Sequence, residues 1–572
     1  MPIAGRILDL AHEHPDQPAI VAPGPGGTAR TISYGELVAD SRHTMGTVRA
    51  LLADLEAQTQ PAPASAPEAQ GLPIVATSLD SAFDAARIFA GLAGYPVVSA
   101  TIDPRWPLEH QVGVIAATGI AVVVSDSAAL AAVLRERGWT GAIVTGARFA
   151  ELGRASAPAP APTRREGPEP FLMLFSSGTT DNPKAFIKTR YQYRENFAVS
   201  SAYLEPLPGV HTLAPGPVSY SLTLYALVEC LASGGTAHLA DGLDAAGLGA
   251  RIRSEAITRV VAVPALVQAL IVAARRTPED FAGLDLVVTG GANLPAALRD
   301  GLAAALPGVR IVSYYGAAEI GFIGDSRGGD GTLISLYTGI EAQVRDSEGA
   351  PLPPGELGTL FIRARACSAG YVTGTARARL RGPDGWASVG DQARLVAVDA
   401  AEAGAAAVGG GHGPAGAESG ARAPKAPRIS LAGRAGDIVV TGGHKVALPE
   451  VERAFDGMPG LGAGCAIGLP SDSLGTLVAY AVEGPVGSVP AKAELRAWAE
   501  PRLAPQFAPR RYYRVGRLPR TVGGKIRREE AARLLALAGN EADPPGAAEA
   551  GAARGSRPEA SAVESLGGVE RL

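Results

Sequence analysis

Phe175-Ser176-Ser177-Gly178-Thr179-Thr180-Asp181-Asn182-Pro183-Lys184 places five consecutive hydroxyl or glycine residues shortly ahead of a lysine. Small side chains let backbone N–H groups approach a polyphosphate, and Ser and Thr hydroxyls add donors that swivel to suit. Lys184 adds a compact positive charge. The apolar run Phe171-Leu172-Met173-Leu174-Phe175 reads as a short buried strand, so the loop leaves a rigid element. The pattern is not G-x-x-x-x-G-K-[ST]. Taken alone, a Ser/Thr/Gly stretch is more often a plain turn than a phosphate site.

The surrounding chain sets the scale. At 572 residues it exceeds one hydrophobic core, and two to four domains or subdomains are expected. Charged residues make up 19%, aromatics 5%, and the net charge is −4, which speaks against a nucleic-acid surface. The short basic cluster Arg510, Arg511 and Arg514 reads as a solvated or ion-paired face. Cys230, Cys367 and Cys465 are far apart, without the spacing of a disulfide framework or a zinc site, and fit a reducing cytoplasm. No run has the pattern of a signal peptide or the length of a membrane span. The expectation is a cytoplasmic protein with no transmembrane segment; the pattern says nothing of oligomeric state.

Upstream of the loop, helical and strand periods alternate. Helices are expected at 4–12, 36–55, 81–92 and 108–118, and strands at 19–21, 31–34, 72–78, 96–100 and 120–125. That alternation implies parallel α/β sheets. A low-complexity stretch at 154–169 precedes the loop, strands are expected again at 285–289 and 310–314, and from about 334 to 397 strands dominate. Residues 398–428 are nearly all Ala, Gly and Pro with a few charges; they lack the apolar surface to offset ordering entropy and read as a disordered insertion. A smaller module is expected at 436–536, and 537–572 reads as an unstructured tail.

Four further motifs follow the loop in order. Tyr314-Tyr315-Gly316-Ala317-Ala318-Glu319 joins a stackable ring to a carboxylate: the ring suits a base, the acid Mg2+. Gly385-Trp386-Ala387-Ser388-Val389-Gly390-Asp391 sets an acid after a tight turn, able to accept from paired hydroxyls. Gly433-Arg434-Ala435-Gly436-Asp437 leads into a strand and the hairpin turn Thr441-Gly442-Gly443-His444. Leu518-Pro519-Arg520-Thr521-Val522-Gly523-Gly524-Lys525-Ile526 carries a lysine at the tip of a Gly-rich loop. Each alone has a bland reading as an ordinary turn or solvated lysine.

Together, over residues 10–535, they resemble the acyl-adenylate-forming superfamily of acyl-CoA ligases, peptide-synthetase adenylation domains and luciferases. Pro183-Lys184-Ala185-Phe186, the stretch from Pro215 to Tyr225 and the Tyr-Gly-Ala-Ala-Glu form look like bacterial acyl-CoA synthetases of the fatty-acid-activating kind. The resemblance implies a large N-terminal domain (1–435) of two parallel-type α/β sheet subdomains plus a small β-rich subdomain, then a small mobile α+β C-terminal domain. It implies a carboxylic acid, fatty or otherwise aliphatic, activated with ATP to acyl-AMP and pyrophosphate, then passed to the thiol of coenzyme A. The alternative acceptor is the phosphopantetheine of an acyl carrier protein.

By the same resemblance, Ser176, Ser177, Gly178, Thr179, Thr180 and Lys184 hold the β/γ-phosphates. Glu319, with Thr179, serves Mg2+ and catalysis. Tyr315, Gly316, Gly291 and Ala292 flank adenine, Asp391 and Arg434 hold the ribose, and Tyr220 with Gly316 borders the acyl pocket. Lys525 bridges ribose, phosphate and substrate carboxylate during adenylation. Gly436 is the hinge about which the C-terminal module rotates, bringing Gly442 and Gly443 toward the pantetheine arm.

Several residues depart from the family pattern. Asp181 stands where the family loop has a glycine; Asp181→Gly is expected to preserve or raise ATP affinity. Val389 replaces a threonine, Gly436 replaces a hinge Asp or Lys, and Tyr220 replaces a His. The position where peptide-synthetase domains carry an acid for the α-amino group is Ser221. An amino acid's ammonium would lack its partner there, which argues against amino-acid adenylation. A nucleotide-binding regulator without turnover is the remaining alternative, on the strength of Asp181 and the altered hinge; the survival of Lys184, Glu319, Asp391, Arg434 and Lys525 argues against it.

Overall fold

The computed structural model describes residues 3–24, 28–57, 62–176, 183–242, 244–329, 331–396, 427–441, 444–471, 475–485, 487–505, 507–521, 524–542 and 568–572. Two sheets build the large domain. The first runs in the order Ala142–Val144, Ile120–Ser125, Ile74–Ser78, Val98–Thr101, Pro170–Ser176, Lys184–Thr189. It is parallel except for the last pair. Its interior strands explain themselves: Ile120-Ala121-Val122-Val123-Val124-Ser125 is buried at every residue, the pattern of a strand covered on both faces. The crossover helix Ala82–Leu92 starts where Ser81 accepts from the Asp84 N–H at 3.2 Å, an N-cap that satisfies one orphan donor.

The second sheet has thirteen strands. Its parallel part (Pro18–Pro23, Thr236–Leu239, His211–Ala214, Arg259–Ala262, Leu286–Thr289, Arg310–Ala317) continues through Gly321–Ser326 into antiparallel strands ending at Glu341–Arg345. The expected β-rich part is thus joined edge-on to the second parallel sheet. The main core lies between the two large sheets and includes Phe89, Phe171, Phe186, Tyr193, Tyr225 and Phe322. Among the described residues no helix is long and apolar enough to cross a membrane.

Three sequence readings change: a stretch read only as low-complexity gains a place in the fold, and two expected bounds are corrected. The stretch 154–169 is anchored: Ala159 is buried and its N–H donates to the Arg42 carbonyl at 2.9 Å, Thr163 N–H to Gly94 at 3.1 Å, and Tyr95 Oη to Pro160 at 2.8 Å. Hydrogen bonds to its backbone and the burial of Ala159 in the main core hold it. The expected insertion 398–428 ends too late, since Arg428–Arg434 is a strand between Asp391–Val396 and Leu333–Leu336; residues 398–426 lie outside the described residues.

The third change concerns the tail. The helix Arg528–Ala542 extends into it, and Val569–Arg571 pairs antiparallel with Arg511–Val515 at the edge of the C-terminal sheet. Arg514, of the supposed solvated cluster, is buried and donates through Nε to Glu570 at 2.8 Å, while Leu572 N–H donates to Tyr512 at 3.0 Å. Deleting 568–572 removes those bonds and bares a strand edge. The expected result is a loss of about 1–3 kcal/mol in urea unfolding followed by a C-terminal-module probe, with Glu570→Ala losing less because Glu570 is half exposed.

Candidate active site

The loop at 177–182, with Ser177, Gly178, Thr179, Thr180 and Asp181, lies outside the described residues, but its base is in place. The pair Ser176↔Lys184 closes an antiparallel hairpin. Strand alternation puts Lys184, Phe186 and Lys188 on one face. The Lys184 ammonium sits 5.4 Å over the Tyr371 ring, and Tyr371 Oη donates to Glu319 Oε1 at 3.1 Å. Glu319, 6% exposed, occupies the turn between Arg310–Ala317 and Gly321–Ser326. Its carbonyl accepts from the Ser368 N–H at 2.8 Å, and Ser368 Oγ donates to Ile187 at 2.9 Å. The ring–glycine–carboxylate motif therefore sits on a strand–turn–strand hairpin.

Lys188 was not anticipated. It is 2% exposed, and burial pulls its ammonium down to about 8, against the opposing pull of Cys367 and Glu319. The signal for it was the period-two spacing Lys184-x-Phe186-x-Lys188 in a strand whose other residues are apolar. Tyr371, missed for the same reason, has its phenol pushed up by burial and next by Glu319.

A second group lies around Asp391. Tyr315 Oη donates to Asp391 Oδ2 at 2.6 Å, and Arg434 Nε lies 3.5 Å from Asp391 Oδ1. The strand that starts at Asp391 and the strand that ends at Arg434 pair at this point, Asp391↔Arg434, with Gly390 at φ +87° turning the chain into the first of them. Gly291, at φ +81°, and Ala292 are exposed at the end of Leu286–Thr289. Gly316 is required by close approach: a Cβ there would stand 2.6 Å from the Gly321 carbonyl oxygen. Tyr220 precedes the helix Ser221–Ser233, under the Arg105 guanidinium at 5.1 Å. Arg105 is held in turn by Asp103 at 2.8 and 2.9 Å, and burial raises the Tyr220 phenol above its ordinary range.

From the C-terminal module comes Lys525. Its loop is braced by Thr521 N–H donating to the Lys525 carbonyl at 2.7 Å and Lys525 N–H to Thr521 Oγ1 at 3.2 Å, with Gly524 at φ +80°. Lys525 keeps contact with solvent, yet crowding by protein, then Arg434, holds its ammonium below the ordinary value, while Asp437 and Asp391 oppose the shift. The Arg434 charge is felt at both Tyr371 and Lys525, and that of Glu319 at Tyr315.

The hinge expectation stands differently. Gly436 lies in a short 3₁₀ turn and has no positive φ; a Cβ there would meet only the Glu529 carboxylate tip at 3.4 Å. Backbone geometry does not demand glycine here. Arg528, ion-paired to Asp437 and donating to both Glu452 oxygens at 2.8 Å, ties the turn to the module. Gly442 and Gly443 lie outside the described residues; the residues on either side of them, Thr441 and His444, pair antiparallel.

Residues 69–372 match the family described as AMP-binding enzyme. The chain belongs to that family. This AMP-binding enzyme is 26% identical over 471 residues to the uncharacterized acyl–CoA ligase YhfT of Bacillus subtilis, a match covering 81% of this chain and 88% of that one. It is 26% identical over 576 residues to the fatty acid–[acyl-carrier-protein] ligase MmaC of Mycobacterium marinum, covering 94% and 97%. Its fold superposes on that of ATP-bound MatB from Rhodopseudomonas palustris with a TM-score of 0.76 at 19% identity, over 93% of this chain and 99% of the other. As an AMP-binding enzyme of this kind it is an AMP-forming acid–thiol ligase.

The donor set admits magnesium in one way. Among the described residues no three His, Cys, Asp or Glu side chains gather as a metal cage. Mg2+, however, commonly takes one or two carboxylates and completes its shell with phosphates and water. Glu319 fits that use.

Proposed function

We propose that the chain condenses a free carboxylic acid with ATP at the Glu319–Asp391–Lys525 site and hands the acyl group to the thiol of coenzyme A. The observation that carries the reading is the Tyr315–Asp391–Arg434 cluster, with contacts of 2.6 and 3.5 Å, together with the Tyr371–Glu319 hydrogen bond of 3.1 Å, in an AMP-binding enzyme. A substrate carboxylate oxygen attacks the α-phosphorus, the bond to pyrophosphate breaks, and acyl-AMP forms. The thiolate then attacks the acyl carbonyl and AMP leaves. Both steps concentrate negative charge on oxygens, where fixed cations in a partly dry site act most strongly.

Lys525 bridges the carboxylate and phosphate, and Lys184 with Ser176, Ser177, Gly178, Thr179 and Thr180 holds the leaving pyrophosphate. Asp391 accepts from the ribose, with Arg434 beside it, and Tyr315, Gly291 and Ala292 flank the base. Glu319, with Thr179, holds Mg2+, which neutralises phosphate charge when bound. Gly436 is the hinge, and Gly442 with Gly443 borders the path of the thiol arm. The carrier-protein phosphopantetheine is the second acceptor to test, favoured by the near full-length match to a ligase of that kind.

Acid-dependent pyrophosphate release, with hydroxylamine trapping of acyl-AMP in the absence of thiol, tests the first step. Pyrophosphate independent of any acid overturns it. Adding coenzyme A or holo carrier protein separately then identifies the acceptor.

A further inference from the structure

Gly316, which the proposed reading sets beside the acyl group, pairs with Phe322, and next to it the helix Ser221–Ser233 meets the strands Arg310–Ala317 and Gly321–Ser326 through aromatic rings. Tyr314 and Phe322 meet edge to face at 4.7 Å, Phe322 and Tyr225 at 4.8 Å, and Tyr225 stacks on Tyr193 at 5.8 Å. These centroid distances are direct contact. On the remaining side, a Cβ at Gly290 would stand 2.3 Å from the Tyr314 ring, so that ring lies flush on bare backbone. Phe322 and Tyr225 are buried, and the Phe322 N–H is fixed by Asn196 Oδ1 at 2.9 Å.

Resting on the function proposed above, we infer that the Tyr314–Phe322–Tyr225 stack floors the acyl pocket and restricts this enzyme to compact carboxylic acids, of about two to four carbons. A methylene chain has no path between rings in contact, and a packed interior does not open for one without displacing a side chain. Tyr314 is the part of the floor that can be removed most simply, since it is only partly buried and rests on Gly290.

The test is hydroxamate trapping with straight-chain acids from acetate to palmitate, on the wild type and on Tyr314→Ala and Tyr314→Phe. Wild type should favour acids of two to four carbons over those of eight or more by about a hundredfold in kcat/KM. Tyr314→Ala should move the optimum to longer chains, and Tyr314→Phe should leave it in place. Equal or better turnover of dodecanoate or palmitate by the wild type overturns the inference while leaving the adenylation reading intact. No turnover with any straight-chain member, while another carboxylic acid supports pyrophosphate release, overturns the inference and leaves the adenylation reading intact; no release with any acid overturns the adenylation reading itself. If Tyr314→Ala does not fold, judged by its unfolding transition, the wild-type series alone decides.

Discussion

Lys525→Ala is expected to lower acid-dependent pyrophosphate release by about a hundredfold to a thousandfold, the cost of removing one preorganised donor at a developing charge. Thioester formation from supplied acyl-AMP should fall far less. The argument starts from the loop: Thr521 and Lys525 lock each other's backbones, so the lysine is presented from a fixed stem. Arg434 is paired to Asp391 and Lys184 stands over Tyr371, so on the proposed reading the Lys525 ammonium is the cation that meets the substrate carboxylate. Single-turnover measurements of the two half-reactions read the split. Equal loss in both halves, or intact adenylation, assigns Lys525 another role.

The same surroundings set a pH signature. Crowding and Arg434 favour the neutral amine of Lys525, so its ammonium is lost at lower pH than an ordinary lysine's. Adenylation should therefore decline on the alkaline side earlier than an unperturbed lysine would dictate. Lys525→Arg, permanently charged, should flatten that limb even at reduced rate. A pH–rate profile of the adenylation half-reaction decides.

The motifs that carry chemistry were legible because each sits on a turn fixed by local rules. Gly390, Gly524 and Gly291 have the positive φ that glycine supplies, and the strand before Gly291 carries the apolar run Leu286-Val287-Val288. Long-range pairing was not legible. Val569–Arg571 is three residues long and finds its partner more than fifty positions upstream, too short for any period to register. Tyr314 reads from sequence as one more strand aromatic; only the bare backbone of Gly290 beneath it makes it a pocket floor. Lys188 hid in a strand that hydropathy alone describes as core, since its partners Glu319 and Cys367 come from segments far along the chain.

Breaking the Arg259–Glu229 pair should cost the most stability. Both side chains are 2% exposed, and Arg259 Nη2 donates to Glu229 Oε2 at 2.8 Å. Arg259 Nε donates to the Leu204 carbonyl at 3.1 Å, just past the helix Arg190–Tyr203. One guanidinium thus ties a sheet strand to two helices, one of which carries Tyr220 at its start and Tyr225 in the pocket floor. Glu229→Leu leaves that guanidinium buried with no counter-charge, and a loss of about 3–5 kcal/mol is expected in urea unfolding. Arg259→Met in the same chain should recover most of it, because two apolar side chains of similar volume need no desolvated charges. Glu229 Oε1 is already buried without a hydrogen-bond partner, so the pair sits in its pocket incompletely satisfied and the double variant has that deficit to gain. If the double variant is as unstable as Glu229→Leu alone, the cost lies in packing around the Ser221–Ser233 helix and not in the stranded charge.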